Sequence, residues 1–464
     1  MMPRIAVLGA GLAGLSAAWN LATHGCAVEV FERDTVVGGL AKSVSYRGFT
    51  FDIGPHRFLA SQDSRVLRLV QSLLGSELQI DHRQSRILMH GTYVAYPLQA
   101  SSLFAHATLG TSAAAIGSFL WNRVRWHFVH PPDSHFERWM INRFGRVLYE
   151  AHFHHYTTKL WGLPPTEISA DWAAARISQL TLWDILRYSL LPSRQPPRTA
   201  ATTFHYPVGG IGTIAGRLAQ AVEQHSGTIA LHTQITGLET HADRVVAVRW
   251  QDQSSGRQGR SEVDGVVSTI PLPHLARMCP QAPRLAQAIA GLRYRSMVLV
   301  NLLIKRDWVT GDHWLYVPER QYLFNRISEP KRFSAAMAPP GYTSLCVEIT
   351  CDAGDDLWHA DPDQLIERVI SSLHRLGLLY PSEVCSGFVI REPHEYPIYT
   401  LTYRRHRETL LAHLRRLTNL QTTGRQGLFQ YNNMDQAMEM GLTAADTLLA
   451  HHAPSVYTLS RQEV

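Results

Sequence analysis

The sequence contains little cysteine, and its cysteines form no recognisable pattern. Five cysteines are scattered over 464 residues, and none of them stands in a CxxC arrangement. An odd, unpaired set of this kind excludes a disulfide framework and is typical of a reducing compartment. We therefore expect a cytoplasmic protein.

Internal repeats and low-complexity tracts are also absent. Charged residues make up only 18% of the chain, against 45% hydrophobic residues, and this balance excludes disordered and fibrous classes. The apolar start, MMPRIAVLGAGLAG, lacks a small-residue cleavage site, so we interpret it as a strand, a turn and a helix rather than a signal peptide. The length allows two or three domains, or one cofactor domain with a substrate domain inserted into it.

The net charge of +6 favours anionic partners. A phosphorylated substrate or an anionic lipid fits this charge. Nucleic acid is disfavoured, because no recognition motif or basic aromatic stripe accompanies the positive charge.

The segment IAVLGAGLAGLSAAWNLATHGCAVEVFE has the spacing of a dinucleotide site. Gly9, Gly11 and Gly14 follow an apolar strand and open an Ala-rich helix, and a second strand ends at Glu32. Glycines in this context allow a tight turn, close approach of the backbone to a pyrophosphate, and packing of helix on strand. The helix N-terminus then faces the phosphates, and Glu32 suits the ribose hydroxyls.

A second glycine pair decides between FAD and NAD. Gly38 and Gly39 follow the acidic residue closely, and the segment ERDTVVGGLAKS resembles the extended FAD motif of amine-oxidase-like flavoproteins. Those families usually place an arginine after the pair, where this chain has Leu40, and Lys42 is the nearest cation. We predict FAD as the cofactor.

Periodicity gives a coarse map of the remaining chain. We predict helices over 62–79, over most of 103–150 with a break at Pro131-Pro132, and over 362–378. The segment 85–97 is typical of a β-hairpin, and 342–351 of a strand. Alternating strands and helices indicate an α/β or α+β fold.

Four blocks occur in the order of the UDP-galactopyranose mutase family and its relatives: HHYTTKLWGLPPTEISADWAAARI, YPVGGIGTIAGRL, NRISEPKRF and GRQGLFQYNNMDQA. The glycine loop and YPVGGIG are shared with protoporphyrinogen oxidases and phytoene desaturases, whereas GPHRF, YTTKLWG and RISEPKRF look more like the mutases. The resemblance implies a Rossmann-like FAD-binding domain of the amine-oxidase/mutase type with an inserted, mainly helical substrate domain. The resemblance implies that 1–100, 201–275 and 396–464 form the FAD-binding domain. Residues 101–200 would form a mainly helical domain for substrate or membrane contact, and 276–395 a substrate domain of mixed strands and helices.

The resemblance also implies contacts with the flavin. In FDIGPHRF, residues 51–58, it places His56 beside the flavin ring, and the alternative is a loop histidine bonded to a backbone carbonyl. The residues expected to contact FAD are Gly9, Gly11, Leu12, Ala13, Gly14, Glu32, Arg33, Gly38, Gly39, Leu40, Gly54, Pro55, His56, Ile235, Gly424, Arg425, Asn433 and Met434.

The substrate contacts implied by the resemblance favour a phosphate-linked sugar. Arg176 and Arg326 would reach the phosphates, since a guanidinium binds phosphate oxygens bidentately. The alternatives are a solvated helix face for Arg176 and an internal ion pair with Glu329 for Arg326. The residues expected at the substrate are Trp161, Tyr206, Tyr431 and Asn433, and Asn433 stands where the mutases carry an aspartate. His56, Arg176 and Arg326 are the predicted catalytic residues.

The implied activity is a pyranose–furanose mutase of cell-surface glycan biosynthesis, acting through a reduced-flavin N5–sugar adduct with NAD(P)H as a candidate reductant. The alternative is an FAD-dependent oxidase, dehydrogenase or desaturase with an apolar substrate, and a third interpretation is a non-enzymatic flavin-binding scaffold. The histidines of HFHHY lack a matching carboxylate or cysteine set, so we predict no metal site. The apolar stretch 102–130 and the segment 180–198 favour equally a buried helix and a peripheral contact with the inner face of the membrane.

Overall fold

The computed structural model describes most of the chain. The described residues are 2–89, 91–96, 114–115, 117–122, 124, 133–176, 203–279 and 283–452. The segment 180–198 and most of 102–130 lie outside these ranges, and so does the predicted break at Pro131-Pro132.

A parallel five-stranded sheet forms one half of the molecule. Its strands, in spatial order, are Leu420–Thr422, Gly265–Ser268, Arg4–Leu8, Ala27–Phe31 and Thr228–Ala230. Ile5 and Val7 of the first strand in the sequence pack on one face, and Ala6 and Leu8 pack on the other. Both faces are therefore covered, as parallel sheets require, and the three central strands are mainly apolar.

Two long helices pack closely on the first of these faces. The helices are Leu12–Thr23 and Met434–His452. At their crossing, a Cβ on Gly441 would lie 2.0 Å from the carbonyl oxygen of Ala13, so only glycine allows the approach. Nearby, the Asn20 side chain donates to the Leu442 carbonyl at 3.2 Å. The C-terminal part of the chain is thereby fixed against the glycine loop at the start.

The second half of the molecule is built on a seven-stranded sheet. Its strands, in spatial order, are Val384–Pro397, Tyr294–Ile304, Thr343–Cys351, Arg326–Ser328, Trp314–Tyr316, Ser85–Met89 and Thr92–Ala95. The described residues also form three smaller sheets. One has three strands, Thr233–His241, Arg244–Asp252 and Gln258–Glu262. The other two have two strands each: Ser43–Tyr46 with Phe49–Asp52, and Leu78–His82 with Thr203–Pro207.

The other described helices surround these sheets. They are Arg65–Leu74, Phe136–Phe144, Arg146–Leu148, His154–Trp161, Ala170–Arg176, Gly212–Gln224, Leu272–Arg277, Pro283–Ala290, Pro330–Phe333, Asp356–His359, Pro362–Arg375, Tyr403–Leu414 and Gly424–Gly427.

The predicted α/β fold is confirmed, and so are several of its elements. Ser85–Met89 pairs antiparallel with Thr92–Ala95, as the hairpin prediction requires. The strand Thr343–Cys351 is buried throughout, and the helix Pro362–Arg375 ends three residues before the predicted end at 378. The division into five domain segments stays a prediction. Within the described ranges, no helix is both long and apolar enough to span a bilayer.

The close helix crossing generates a stability prediction. We expect Gly441→Ala to destabilise the protein by about 1–3 kcal/mol, because the added methyl group forces the two helices apart. Gly216→Ala is the matched control, since a Cβ there meets no atom within 4 Å and the residue lies inside the helix Gly212–Gln224. It should be neutral or stabilising by up to about 1 kcal/mol. Urea denaturation checks both values, and equal midpoints for the two variants would contradict the described crossing.

Candidate functional site

A cavity between the two halves of the molecule lies at the carboxyl ends of the parallel strands. Its volume is about 330 Å³, and among the described residues it is the cavity that contains most of the predicted site. One end is lined by the glycine loops at Gly9–Gly11 and Gly38–Gly39, and the other by charged and aromatic side chains. Ligands of open α/β sheets bind at this edge.

The first glycine loop is built by backbone contacts. Gly9 has a φ of +99°, and a Cβ on Gly14 would lie 1.9 Å from the Gly9 carbonyl oxygen. Strand and helix can therefore touch only if both positions are glycine. A Cβ on Gly11 would meet no protein atom closer than 3.9 Å, so the space that its missing side chain leaves is the cavity itself.

The second glycine loop closes over the first. The Gly38 amide donates to the Ala10 carbonyl at 2.8 Å, and a Cβ on Gly39 would approach Gly11 Cα to 3.3 Å. The N-terminus of the helix that begins at Met434 also lines this part of the cavity. Backbone amides and two helix N-termini therefore meet in one slot, which suits a pyrophosphate.

Glu32 lies at the far side of this slot and is 7% exposed. One carboxylate oxygen accepts the Ala10 amide at 2.7 Å, and the other accepts the Asp34 amide at 3.0 Å. Each oxygen keeps a further lone pair, because a carboxylate accepts about four hydrogen bonds. Glu32 thus fixes the loop and still lines the cavity where a ribose would lie.

The charged end of the cavity contains a bidentate ion pair. Arg326 Nε and Nη2 donate to the two carboxylate oxygens of Glu348 at 2.8 and 2.7 Å. The two residues are direct cross-strand partners in the seven-stranded sheet. Arg326 therefore pairs with Glu348 and not with Glu329, whose carboxylate accepts the backbone amides of Val309 and Thr310. Glu329 follows Arg326 by three residues, and residues three apart in extended chain point to opposite faces, so these two side chains do not meet.

His56 lies on the turn beside this pair. Its Nδ1 is 3.0 Å from the Gly54 carbonyl, and because a carbonyl only accepts, Nδ1 carries the proton. Burial, together with the charges of Arg326 and Arg425, lowers the pKa of His56 to about 4 against the opposing effect of the Gly54 carbonyl. His56 is therefore neutral near pH 7, with Nε2 as an acceptor. It has the carbonyl contact of the alternative interpretation and also lines the cavity.

Aromatic rings surround a second cation at this end. The Arg425 guanidinium lies 4.4 Å from the ring centre of Tyr431 and 5.2 Å from that of Tyr396. The two tyrosine rings are stacked, with their planes inclined by 15°. Arg425 also donates to the Glu395 carbonyl at 2.8 Å. The cation is thereby held in place while one face remains in the cavity wall.

Most of the residues predicted to contact cofactor or substrate line this one cavity. They are Gly9, Gly11, Leu12, Ala13, Glu32, Arg33, Gly38, Gly39, Leu40, Pro55, His56, Ile235, Arg326, Gly424, Arg425, Tyr431, Asn433 and Met434. Gly14 and Gly54 stand behind the wall, at close backbone and side-chain contacts. Arg176 ends the helix Ala170–Arg176, and its side chain lies outside the described part of the chain.

Trp161 and Tyr206 lie outside the cavity wall, against the expectation that they contact substrate. Trp161 is 2% exposed and packs edge-on against Trp172 and Tyr396, behind the wall. In the same helix, Lys159 donates to three backbone carbonyls of the segment before Arg326, and burial lowers its pKa to about 7. The block YTTKLWG therefore supports the wall from outside.

Tyr206 is 1% exposed, and its hydroxyl donates to the Asp52 carboxylate. Burial raises the pKa of Asp52 to about 6, although Ser43, Tyr206 and the Ile211 amide all donate to it. This buried network joins the strand before His56 to the turn that follows the strand Thr203–Pro207. Its effect on the site is structural.

Sequence reasoning missed several residues at the charged end. They are Trp314, Tyr316, Glu348, Glu392, His394, Glu395 and Tyr396. The run REPHEYP is the sequence feature that indicates four of them, because charged residues interrupt a strand-like segment there. No group of three or more His, Cys, Asp or Glu side chains in the described ranges is placed to hold a metal ion.

These features define the class of protein. It is a flavoprotein whose dinucleotide cofactor fits the slot between two glycine loops at the edge of a parallel sheet. The family model for flavin containing amine oxidoreductase matches residues 12–449, and the chain belongs to that family. The mitochondrial protoporphyrinogen oxidase of Nicotiana tabacum is 25% identical over 296 residues, which are 58% of this chain and 58% of that protein. The match thus spans little more than half of the curated relative.

Solved structures show the same fold. Reduced UDP-galactopyranose mutase superposes with a TM-score of 0.81 at 22% identity, covering 97% of this chain and 94% of the other. Putrescine oxidase with bound putrescine superposes with a TM-score of 0.63 at 16% identity, covering 97% and 99%. The resemblance to the mutase-like flavoproteins is thereby confirmed at the level of fold.

The residues present fit the FAD that the family implies. The space beside Gly11, the two helix N-termini and Glu32 receive a pyrophosphate and a ribose, and His56 and Arg425 flank the end where a flavin ring would lie. The chain therefore belongs to a family of flavin-dependent enzymes, and its cavity fits the cofactor of that family. Whether it is a mutase or an oxidoreductase depends on the charged end.

The loop contact generates a prediction about cofactor affinity. We expect Gly39→Ala to raise the dissociation constant of FAD about tenfold or more, because the methyl group pushes the second loop away from the first. Gly75→Ala is the matched control, with a φ of +52° against +56° and no atom within 4 Å of its Cβ. The control measures the cost of a side chain at a glycine of positive φ where no neighbouring atom is displaced. Fluorescence titration of apoprotein with FAD decides, and equal constants would contradict this account of the slot.

Proposed function

We propose that the protein is a flavin-dependent pyranose–furanose mutase acting on a phosphate-linked sugar, carried by a nucleotide or a polyprenyl chain. The supporting observation is that the charged end of the cavity is polar and presents two fixed cations. Arg326 and Arg425 both line it, together with His56, Tyr396 and Tyr431. A desaturase of apolar compounds needs an apolar tunnel at this place instead.

The side chains at this end of the cavity suit the handling of a phosphate leaving group. Arg326 is aligned by Glu348 and keeps one guanidinium nitrogen, Nη1, free of that bidentate contact. Tyr431 and Tyr396 stack beside Arg425 and can donate hydroxyl protons to phosphate oxygens. A group that departs and returns must be held nearby, and two fixed cations do this at little entropic cost. When bound, reduced flavin supplies an electron pair to the anomeric carbon, and the reaction has no net redox change.

The reduced flavin is the proposed active form, with NAD(P)H as candidate reductant. The proposed partners are the phosphate-linked sugar and, through 102–130, the inner face of the membrane. Two exposed apolar side chains of that stretch, Trp121 at 68% and Leu120 at 54%, are compatible with such a contact.

An oxidoreductase is the second candidate function. It is favoured by the 296-residue match to a protoporphyrinogen oxidase. This candidate requires that the substrate changes the redox state of the flavin, whereas the mutase leaves it unchanged.

The test uses the FAD-loaded protein without oxygen. A panel of UDP-linked and polyprenyl-phosphate-linked sugars is incubated with the oxidised and with the dithionite-reduced protein, and pyranose and furanose forms are separated by chromatography. Interconversion by the reduced protein alone is the expected result. Absence of interconversion with every donor, combined with bleaching of oxidised flavin by apolar compounds or protoporphyrinogen, would replace the mutase by the oxidoreductase.

The bidentate ion pair predicts the effect of a conservative change. Arg326→Lys should lower kcat/KM about 100-fold or more, because an ammonium cannot bind Glu348 and a phosphate in the same plane. Arg260→Lys is the control, since Arg260 forms an exposed ion pair with Glu239 and does not line the cavity. It should leave kcat/KM unchanged. Steady-state kinetics of both variants decide, and equal values would show that Arg326 does not contact the reacting group.

A further inference from the structure

A bulge in the strand Val384–Pro397 directs two polar residues, His394 and Glu395, into the cavity. In its pairing with Tyr294–Ile304, Arg295 faces Tyr396 and Met297 faces Glu392. The single residue Ser296 therefore opposes three residues, Pro393 to Glu395. Its hydroxyl donates to the Pro393 carbonyl at 3.0 Å and holds the bulge closed. Bulges of this kind re-aim side chains next to active sites.

Glu395 is the acidic residue that the bulge delivers. It is 5% exposed and lines the cavity. Its Oε1 lies 3.9 Å from Arg425 Nη2, and its Oε2 has no hydrogen-bond partner among the described residues. A buried carboxyl oxygen without a partner costs free energy unless a bound group or a proton satisfies it.

The charges around Glu395 explain why it can hold a proton. Burial raises the pKa of Glu395 to about 7, and the carboxylates of Glu392 and Glu348 raise it, against the opposing effect of Arg425 and Arg326. The titratable groups that face it are Arg326, Glu348, Glu392, His394, Tyr396, Arg425 and Tyr431. His56, by contrast, is neutral near pH 7 and has its only proton directed at Gly54.

We propose that Glu395 is the acid–base residue of this site: it gives a proton to the sugar ring oxygen when the ring opens and takes one back when the new ring closes. The proposal rests on the proposed mutase function. It assigns a residue to a proton transfer for which none was predicted from the sequence.

Atoms and electrons balance in both ring opening and ring closure. On opening, the bond between the anomeric carbon and the ring oxygen breaks, the oxygen keeps the electron pair, and the Glu395 proton converts it into a hydroxyl. On closure, another hydroxyl oxygen of the sugar bonds to the anomeric carbon, and its proton passes to the Glu395 carboxylate. Reduced flavin, when bound, would supply the electron pair that the anomeric carbon needs between the steps. No oxidant or further reductant is consumed.

The test compares Glu395→Gln and Glu395→Asp with the unaltered FAD-loaded protein. Glu395→Gln should lower kcat about 100-fold with little change in KM, since general acid–base catalysis contributes about that factor or more. Glu395→Asp should recover part of the rate, because it restores a carboxyl. Glu408→Gln, at an exposed surface residue, is the control for the substitution itself.

A spectroscopic readout separates this proposal from the proposed function. The absorption spectrum of bound flavin should shift with a midpoint near pH 7 in the unaltered protein and in Glu408→Gln. The shift should disappear in Glu395→Gln and return at another midpoint in Glu395→Asp. If no sugar is interconverted, the mutase function fails, and the titration still decides whether Glu395 carries the proton. An unchanged titration, or an unchanged kcat against pH profile in Glu395→Gln, would overturn the proposal.

Discussion

The ion pair between Arg326 and Glu348 is the interaction on which the rest of the site depends. The strand that carries Arg326 has three residues, and its register with the neighbouring strand places the two charges directly opposite each other. A bidentate contact between a half-buried guanidinium and a buried carboxylate resists displacement, because breaking it leaves the buried charge uncompensated. The pair also sets the turn before His56, since a Cβ on Gly54 would meet Glu348 Oε1 at 3.0 Å. One contact thus fixes a cation, a turn and a histidine.

The two ends of the cavity are made by different physical means. At the nucleotide end, missing side chains expose backbone amides, and the helix crossing at Gly441 keeps the first helix in place against the sheet. At the charged end, side chains form the binding surface, and their positions depend on sheet register and on the bulge at Pro393 to Glu395. The first arrangement binds an elongated anion whatever the reaction. The second arrangement determines which substrate the bound cofactor can meet.

This difference explains how much the sequence could predict. Gly9, Gly11 and Gly14 are local in sequence, so the spacing alone predicts the loop, and the hairpin at 85–97 follows from local patterning. Glu348 and Glu395 could not be found in this way, because their partners are 22 and 30 residues distant and register is a tertiary property. The resemblance placed Trp161 and Tyr206 at the substrate, but the structure puts both behind the wall. A motif identifies a helix or a strand more securely than it identifies which of its side chains face the cavity.

The most direct test of the account concerns the flavin itself. The FAD-loaded protein is reduced without oxygen, incubated with each phosphate-linked sugar and treated with cyanoborohydride, and the mass of the released flavin is measured. A flavin heavier by one sugar residue is expected, with a mass increment that separates pentose, deoxyhexose and hexose. Flavin of unaltered mass with every donor, from a protein that apolar substrates reduce, would contradict it.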